Sequence, residues 1–273
     1  MSDAHGPRHP GVRALRALAR DPRARADVGA CLLEGPRVIT AALDRGAALE
    51  AVYCGPGAAR AFPDVVARCA AVGVPVHDLK EGVLERIGTT RTPQPVLAVA
   101  RFGPAALDVV VSAARDRSAL VVVGVSDPGN LGTILRSAEA AGLGGVVVAG
   151  DAVDVRSPKV VRASAGSVFG LPVAVVPDAL PALGALRAAG VVTVGAVARG
   201  GDAPDGIGLG RGAALVLGNE AHGLDPALTA AVDRLVTVPM AGPTESLNVA
   251  MAATVLCFEA ARQRAASERG VGA

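Results

Sequence analysis

Apolar residues along this chain follow two spacings. Short unbroken runs suit strands, while stretches with an apolar residue every three or four positions suit helices with one buried face. In the first hundred residues these patterns predict helices over 11–20, 36–44, 63–72 and 81–87, and strands over 30–33, 49–53, 74–77 and 96–100. Pro36 stands where a first helical turn accepts proline, and Gly55-Pro56-Gly57 and Pro93-Gln94-Pro95 punctuate turns. Residues 101–118 combine Gly103-Pro104 with the charge run Arg115-Asp116-Arg117 and read as a linker. At 119 a continuous apolar run begins, as expected of a central parallel strand buried on both faces. Beyond it the pattern predicts helices over 131–141, 157–164, 180–189 and 248–263, alternating with strands over 145–148, 173–176, 191–196, 213–217 and 235–238. The expected organisation is a small layered α/β domain over residues 1–100, the linker, an open parallel sheet with helices on both faces over 119–265, and a tail over 266–273. Ligands of such sheets bind beyond the carboxyl ends of the strands. The loops at 126–130, 196–212, 218–226 and 239–247 are therefore expected to hold the site.

Composition narrows the function. Of the 273 residues 51% are hydrophobic and 19% charged, which excludes global disorder. There is no Trp, one Tyr (Tyr53) and four Phe, so a protein that grips single-stranded bases on rows of aromatics is not expected. The formal charge is only +2, yet residues 8–25 carry six Arg against one acid, Asp21. That segment reads either as a phosphate-binding arm or as a solvated helix face. The four cysteines (31, 54, 69 and 257) form no CxxC and have no His at metal-ligand spacing, so they read as buried thiols of a reducing cytoplasm without a metal. The first ten residues lack an apolar stretch, and no run of 18 apolar residues escapes a charge or Pro. Neither a secretion signal nor a membrane span is expected.

Three clusters carry candidate chemistry. The first runs from Ser126 to Ala138, follows the 119–125 strand and opens a helix; Asn130 is a candidate cap and Arg136 follows one and a half turns later. It lacks GxGxxG and the lysine of a P-loop, which weighs against a dinucleotide site. In the second, Leu215 to Leu224, an apolar strand ends in Gly218 and then Glu220, with His222 reading as a turn residue. In the third, Val238 to Ala253, Ser246 or Asn248 could cap the last helix.

In this order the strings NLGTILR, LVLGNE and VPMAGPTESLNVAMA resemble the three motifs of the SpoU/TrmH family, RNA ribose 2'-O-methyltransferases of the SPOUT superfamily. The string from Arg162 to Phe169 resembles the same family. The likeness spans 119–265 strongly and 11–100 more loosely, where Leu32–Arg37 resembles the start and Thr92-Pro93-Gln94 the end of the family's substrate-binding domain.

The resemblance implies a C-terminal SPOUT domain with a parallel sheet and a deep trefoil knot, preceded by a ribosomal-protein-like RNA-binding domain. It implies S-adenosyl-L-methionine as cofactor, held by Gly218, Val238 and Leu247 with Ala196, Val197 and Met240, and a homodimer with the site near its interface. It places catalysis on Arg136, Asn130, Glu220, Ser246 and Asn248. A guanidinium keeps its proton in proteins, so Arg136 is easier to defend as a cation that stabilises a developing alkoxide than as a base. On this view Asn130 and Asn248 position Arg136 and the ribose, Glu220 holds the constellation, and Ser246 bonds the substrate or Arg136. Arg13, Arg16, Arg20, Arg25 and Arg37 become candidate RNA contacts. The separate N-terminal domain favours 23S rRNA by analogy. The alternatives are a tRNA methyltransferase, a ribosome-modifying resistance enzyme, a non-catalytic RNA-binding protein of the same fold and, against the missing GxGxxG, a nicotinamide-dependent oxidoreductase.

Overall fold

The computed structural model describes residues 4–90 and 93–270; Thr92 lies outside the described residues. The first elements are α1 (Pro10–Arg20), α2 (Pro22–Val28), β1 (Ala30–Glu34), α3 (Pro36–Asp44), β2 (Leu49–Cys54), α4 (Ala58–Ala61), α5 (Pro63–Ala71), β3 (Val76–Asp78) and β4 (Val96–Arg101). There follow α6 (Leu107–Asp116), β5 (Ala119–Val123), α7 (Pro128–Ala140), β6 (Gly145–Ala149), α8 (Pro158–Ala163), β7 (Val173–Val176), α9 (Ala179–Ala188) and β8 (Val192–Ala196). The last are β9 (Ala213–Leu217), α10 (Pro226–Ala231), β10 (Arg234–Val236) and α11 (Val249–Gly270). Among the described residues no helix is long and apolar enough to cross a membrane.

The chain divides into two compact units. One holds the residues up to Gly103 together with Asp154–Phe169, and the other holds Pro104–Val153 and Gly170 onward. In the first unit the sheet order is β1-β4-β2-β3, with β4 antiparallel to both neighbours and β3 parallel to β2. Alternation sends Ala30, Leu32, Leu97 and Val99 to one face, where Val12, Leu15 and Leu18 of α1 pack on them. Cys31 and Leu33 take the other face, and α3, which buries Val38 and Ile39, follows directly from β1. The segment Asp154–Phe169 is fastened here by charge: Arg162 bonds Glu34 at 3.1 Å, and the buried Arg25 pairs with Asp154 at 2.6 Å.

The second unit is a six-stranded sheet in the order β10-β8-β9-β5-β6-β7, with every pairing parallel. Val121, Val147, Ala174 and Val216 pack on one face against Val110 and Ala114 of α6 and Leu183 and Leu186 of α9. α7 and α11 pair with each other, burying Leu131, Ile134 and Leu135 of one and Ala253, Leu256 and Cys257 of the other, with Ser137 and Thr254 sharing a 2.7 Å hydrogen bond. Strand registry brings four carboxyl ends side by side: Val122 of β5 faces Leu217 of β9, Gly195 of β8 faces Val216, and Ala196 faces Val236 of β10. The loops that follow these four strands open on one rim.

Several expectations are corrected. The 101–118 stretch is largely the helix α6, whose Val110 and Ala114 are buried one turn apart behind the Gly103-Pro104 that resembled a linker. The helix expected over 81–87 is a single 3-10 turn, Leu84–Arg86, because Gly82 sits in the left-handed region at φ +73° and interrupts it. Residues 154–169 pack with the first unit although they lie inside the expected second domain. All four cysteines are buried and free, and burial pushes the Cys31 and Cys257 thiols up to about 12.

Candidate active site

The site is built where β5, β9, β8 and β10 end. Helix α7 begins at Pro128 and its cap is Asp127, whose Oδ1 accepts from the Asn130 backbone N at 2.8 Å. Asn130 is therefore inside the helix and not its cap, which frees its side chain. Its Nδ2 donates to Glu220 Oε1 at 3.0 Å, and its Oδ1 accepts from Asn248 Nδ2 at 3.1 Å. Asn248 precedes α11, and its Oδ1 accepts from the Ala250 N at 2.9 Å, so Asn248 is the residue that caps this helix. Three residues separated widely in the sequence thus form one chain, Glu220–Asn130–Asn248, which ties the β9 loop to the starts of α7 and α11.

The β9 loop is shaped by close backbone contact. A Cβ at Gly218 would run into the carbonyl of Gly223, so only glycine fits there. Asn219 clamps the turn: its Nδ2 donates to the Gly124 carbonyl at 2.7 Å, and its Oδ1 accepts from Ala221 N at 2.9 Å. Nothing in the sequence separated Asn219 from its neighbours, since its partner lies at the end of a strand 95 residues earlier. Glu220 also accepts from the Asp127 N at 3.3 Å. Limited burial alone would raise its pKa, but the Asn130 side chain and the backbone of Glu220, Asp127 and Ser126 together hold the carboxyl below its ordinary value.

A cavity of about 400 Å³ lies at these loops. All six residues expected at the cofactor, Ala196, Val197, Gly218, Val238, Met240 and Leu247, line it, as do Glu220 and Ser246. Leu217, Val236, Val249 and Leu256 supply apolar wall. The volume and this mixture suit a small organic ligand, as does a wall where a glycine brings main chain close.

Arg136 stands apart. It is exposed on α7, and its side chain makes no hydrogen bond or ion pair among the described residues. The expected contacts of Asn130 and Asn248 with Arg136 are absent: the Asn130 Oδ1 accepts from Asn248 and the Asn248 Oδ1 from Ala250 N, and the guanidinium, which can only donate, reaches neither. Ser246 is exposed beside the cavity and is not bonded to Arg136. Among the expected RNA contacts, Arg13 and Arg37 are exposed, Arg16 is half-buried, and Arg20 donates to the Arg86 carbonyl at 3.3 Å. Arg25 is only 4% exposed, pairs with Asp154 and donates to the Leu18 carbonyl at 2.9 Å; it is a structural residue with no face left for a phosphate. Among the described residues no His, Cys, Asp or Glu group has the geometry to hold a metal ion.

A parallel α/β sheet with a cavity walled by three loops beyond its strand ends defines an α/β protein with a small-molecule site at the carboxyl ends of its strands. Residues 117–258 match the SpoU rRNA Methylase family, and the chain belongs to it. Residues 9–98 match the MRM3-like substrate binding domain. The 23S rRNA (guanosine(2553)-2'-O)-methyltransferase RlmP of Bacillus subtilis is 37% identical over 187 residues, covering 68% of this chain and 72% of that protein. Among solved structures, the SpoU methyltransferase AviRb of Streptomyces viridochromogenes, in complex with AdoMet, has a TM-score of 0.81 at 31% identity, covering 94% of this chain and 99% of that one. The AdoMet-bound rRNA methyltransferase of Sinorhizobium meliloti has a TM-score of 0.79 at 31% identity, covering 93% and 94%.

Proposed function

We propose that this protein transfers a methyl group from S-adenosylmethionine to a ribose 2'-hydroxyl of ribosomal RNA. The observation that carries the reading is the convergence of three distant motif segments on one cavity, in a chain of the SpoU rRNA Methylase family. Bound S-adenosylmethionine supplies an electrophilic methyl carbon on a positively charged sulfur. The chain's own residues provide alignment and charge. Gly218, Val238 and Leu247 with Ala196, Val197 and Met240 wall the cofactor pocket. Glu220, kept ionised by its donors, holds the Asn130 amide, and Asn130 in turn holds Asn248; this fixes the edge at which the ribose arrives. Such alignment is worth ~7–11 kcal/mol of barrier. Arg136, left unpaired on the outside of α7, is open to an RNA phosphate and to the oxyanion that forms as the 2'-hydroxyl loses its proton. Arg13, Arg16, Arg20 and Arg37 contribute phosphate contacts from the first unit.

We further infer a homodimer and a knotted catalytic domain. Met251, Val255 and Phe258 lie on one face of α11 and are 60%, 42% and 50% exposed, an apolar stripe suited to a second copy. The knot rests on the family to which residues 117–258 belong. Cytoplasmic residence follows from the substrate.

The test is single-turnover transfer of labelled methyl from S-adenosylmethionine to unmodified 23S rRNA. The proposal expects transfer by the wild type and its near-complete loss in Arg136→Ala. Normal turnover in that variant would remove Arg136 from the reaction, and no transfer by the wild type would overturn the proposal.

A further inference from the structure

Three of the chain's four histidines and its only tyrosine meet at one edge of the first unit. His77 is in β3 and Tyr53 is its registry partner in β2. His5 belongs to a segment laid parallel to the end of β3: its N donates to the Asp78 carbonyl at 2.7 Å, and Lys80 N donates to its carbonyl at 3.1 Å. His9 precedes α1 and caps it, its Nδ1 accepting from Gly11 N at 3.2 Å. The His5 ring stacks on His9 at 3.6 Å with planes 17° apart, and on His77 at 4.9 Å with planes 26° apart. His9 and His77 make no ring contact with each other among the described residues, so His5 is the middle ring of a three-imidazole stack, backed by Tyr53 at 5.2 Å from His77. Burial, with His9 and His77 beside it, holds the His5 pKa below its ordinary value, which favours the neutral, stackable ring. The outer ring, on the exposed His9, ends the stack at the surface.

His9 also begins a stripe. His9, Arg13, Arg16 and Arg20 recur at helical spacing along one flank of α1, beside the buried row of Val12, Leu15 and Leu18. The side chains of Arg13 and Arg16 have no hydrogen bond or ion pair among the described residues. A stack of rings ending in solvent beside two unpaired guanidinium groups matches a single-stranded nucleic acid, with a π-face for a base and cations for the backbone. We propose that the exposed face of His9 is a stacking platform for one unpaired base of the substrate RNA, whose adjoining phosphates lie on Arg13 and Arg16. The proposal deepens the ribose-methyltransferase reading and rests on it for the identity of the RNA. Counting only Phe, Trp and Tyr conceals this platform, because its rings are imidazoles.

The experiment measures binding of the full chain to an unmodified 23S rRNA transcript across a salt series, with methyl transfer followed on the same transcript. His9→Asn keeps a capping acceptor for α1 and deletes the ring; His9→Tyr keeps a ring. Base stacking of the usual strength predicts a roughly five- to 150-fold weaker Kd for His9→Asn with an unchanged salt slope, and a distinctly smaller loss for His9→Tyr, which keeps a ring though it gives up the capping acceptor. Arg13→Ala should instead flatten the slope by ~0.7–0.9. Normal binding by His9→Asn, equal losses in both His9 variants, or a flattened slope in His9→Asn would each overturn the platform. A wild type that methylates while His9→Asn binds normally sinks the platform alone. Ring-dependent binding without methyl transfer by the wild type sinks the enzymatic reading alone, and absence of RNA binding by the wild type sinks both.

Discussion

At the scale of single residues, the centre of the account is Glu220–Asn130–Asn248. Glu220 has a depressed pKa, so the interactions of its carboxylate are present above its unfolded value and are lost as pH falls through the folded one. The window lies below the ~4.3 of an ordinary glutamate. An NMR titration of the Glu220 carboxyl should show that low midpoint in the wild type and a higher one in Asn130→Ala, which removes a donor; identical midpoints would mean that the bond is not formed. Asn130→Ala should also lower single-turnover methylation by about 100-fold, as a small displacement of aligned groups does, with the fold retained. Gly218→Ala should lose S-adenosylmethionine binding in calorimetry, because the added Cβ meets the Gly223 carbonyl.

Much of this was legible in the residues and some was not. The six cofactor positions, which the family resemblance names, do line one cavity; the apolar runs by themselves indicate only that the loops after the strands hold a site. The sequence offers two residues able to cap α7, and Asp127, three positions before Asn130, supplies the acceptor, because a cap is a matter of backbone geometry. Arg25 was grouped with its neighbours by charge, yet its partner Asp154 is 129 positions away and invisible to any local count.

At the scale of elements, helix starts decide where the chemistry sits. Asp127 caps the 13-residue α7, which carries both Asn130 and Arg136. Asp127→Ala should cost ~1 kcal/mol in denaturant unfolding, and more in activity than in stability, since the cap also sets the pitch at which Asn130 meets Glu220. The helices that the apolar pattern does not reveal, α2, α4, α6 and α10, are 7, 4, 10 and 6 residues long. α2, α4 and α10 are too short for a clear apolar period and rely on tertiary burial, while α6 is concealed by Gly103-Pro104 before it and Arg115-Asp116-Arg117 at its end. Conversely, the 81–87 stretch had the right spacing but contained Gly82, whose left-handed backbone outweighs periodicity.

At the scale of the whole molecule, the near-neutral charge conceals a division of labour among the arginines. Arg25 and Arg162 are consumed in ion pairs that fasten Asp154–Phe169 within the first unit, while Arg13 and Arg37 are exposed and Arg16 is half-buried. Arg25→Ala should therefore lower stability in thermal or denaturant unfolding, by less than the ~3–5 kcal/mol of a fully buried pair because Asp154 keeps part of its surface in water, and leave the salt slope of RNA binding unchanged. Breaking the apolar stripe of α11 with Phe258→Asp should shift sedimentation from dimer to monomer; a wild type that already sediments as a monomer would remove the dimer from the account.

The central claim is the chemical position of the methyl group. Unmodified 23S rRNA treated with the purified protein and labelled S-adenosylmethionine should, after alkaline hydrolysis, yield the label in an alkali-resistant dinucleotide, because a 2'-O-methyl blocks cleavage of the adjoining phosphodiester. Label released in mononucleotides, as from a methylated base, or no label in the RNA at all, would contradict it.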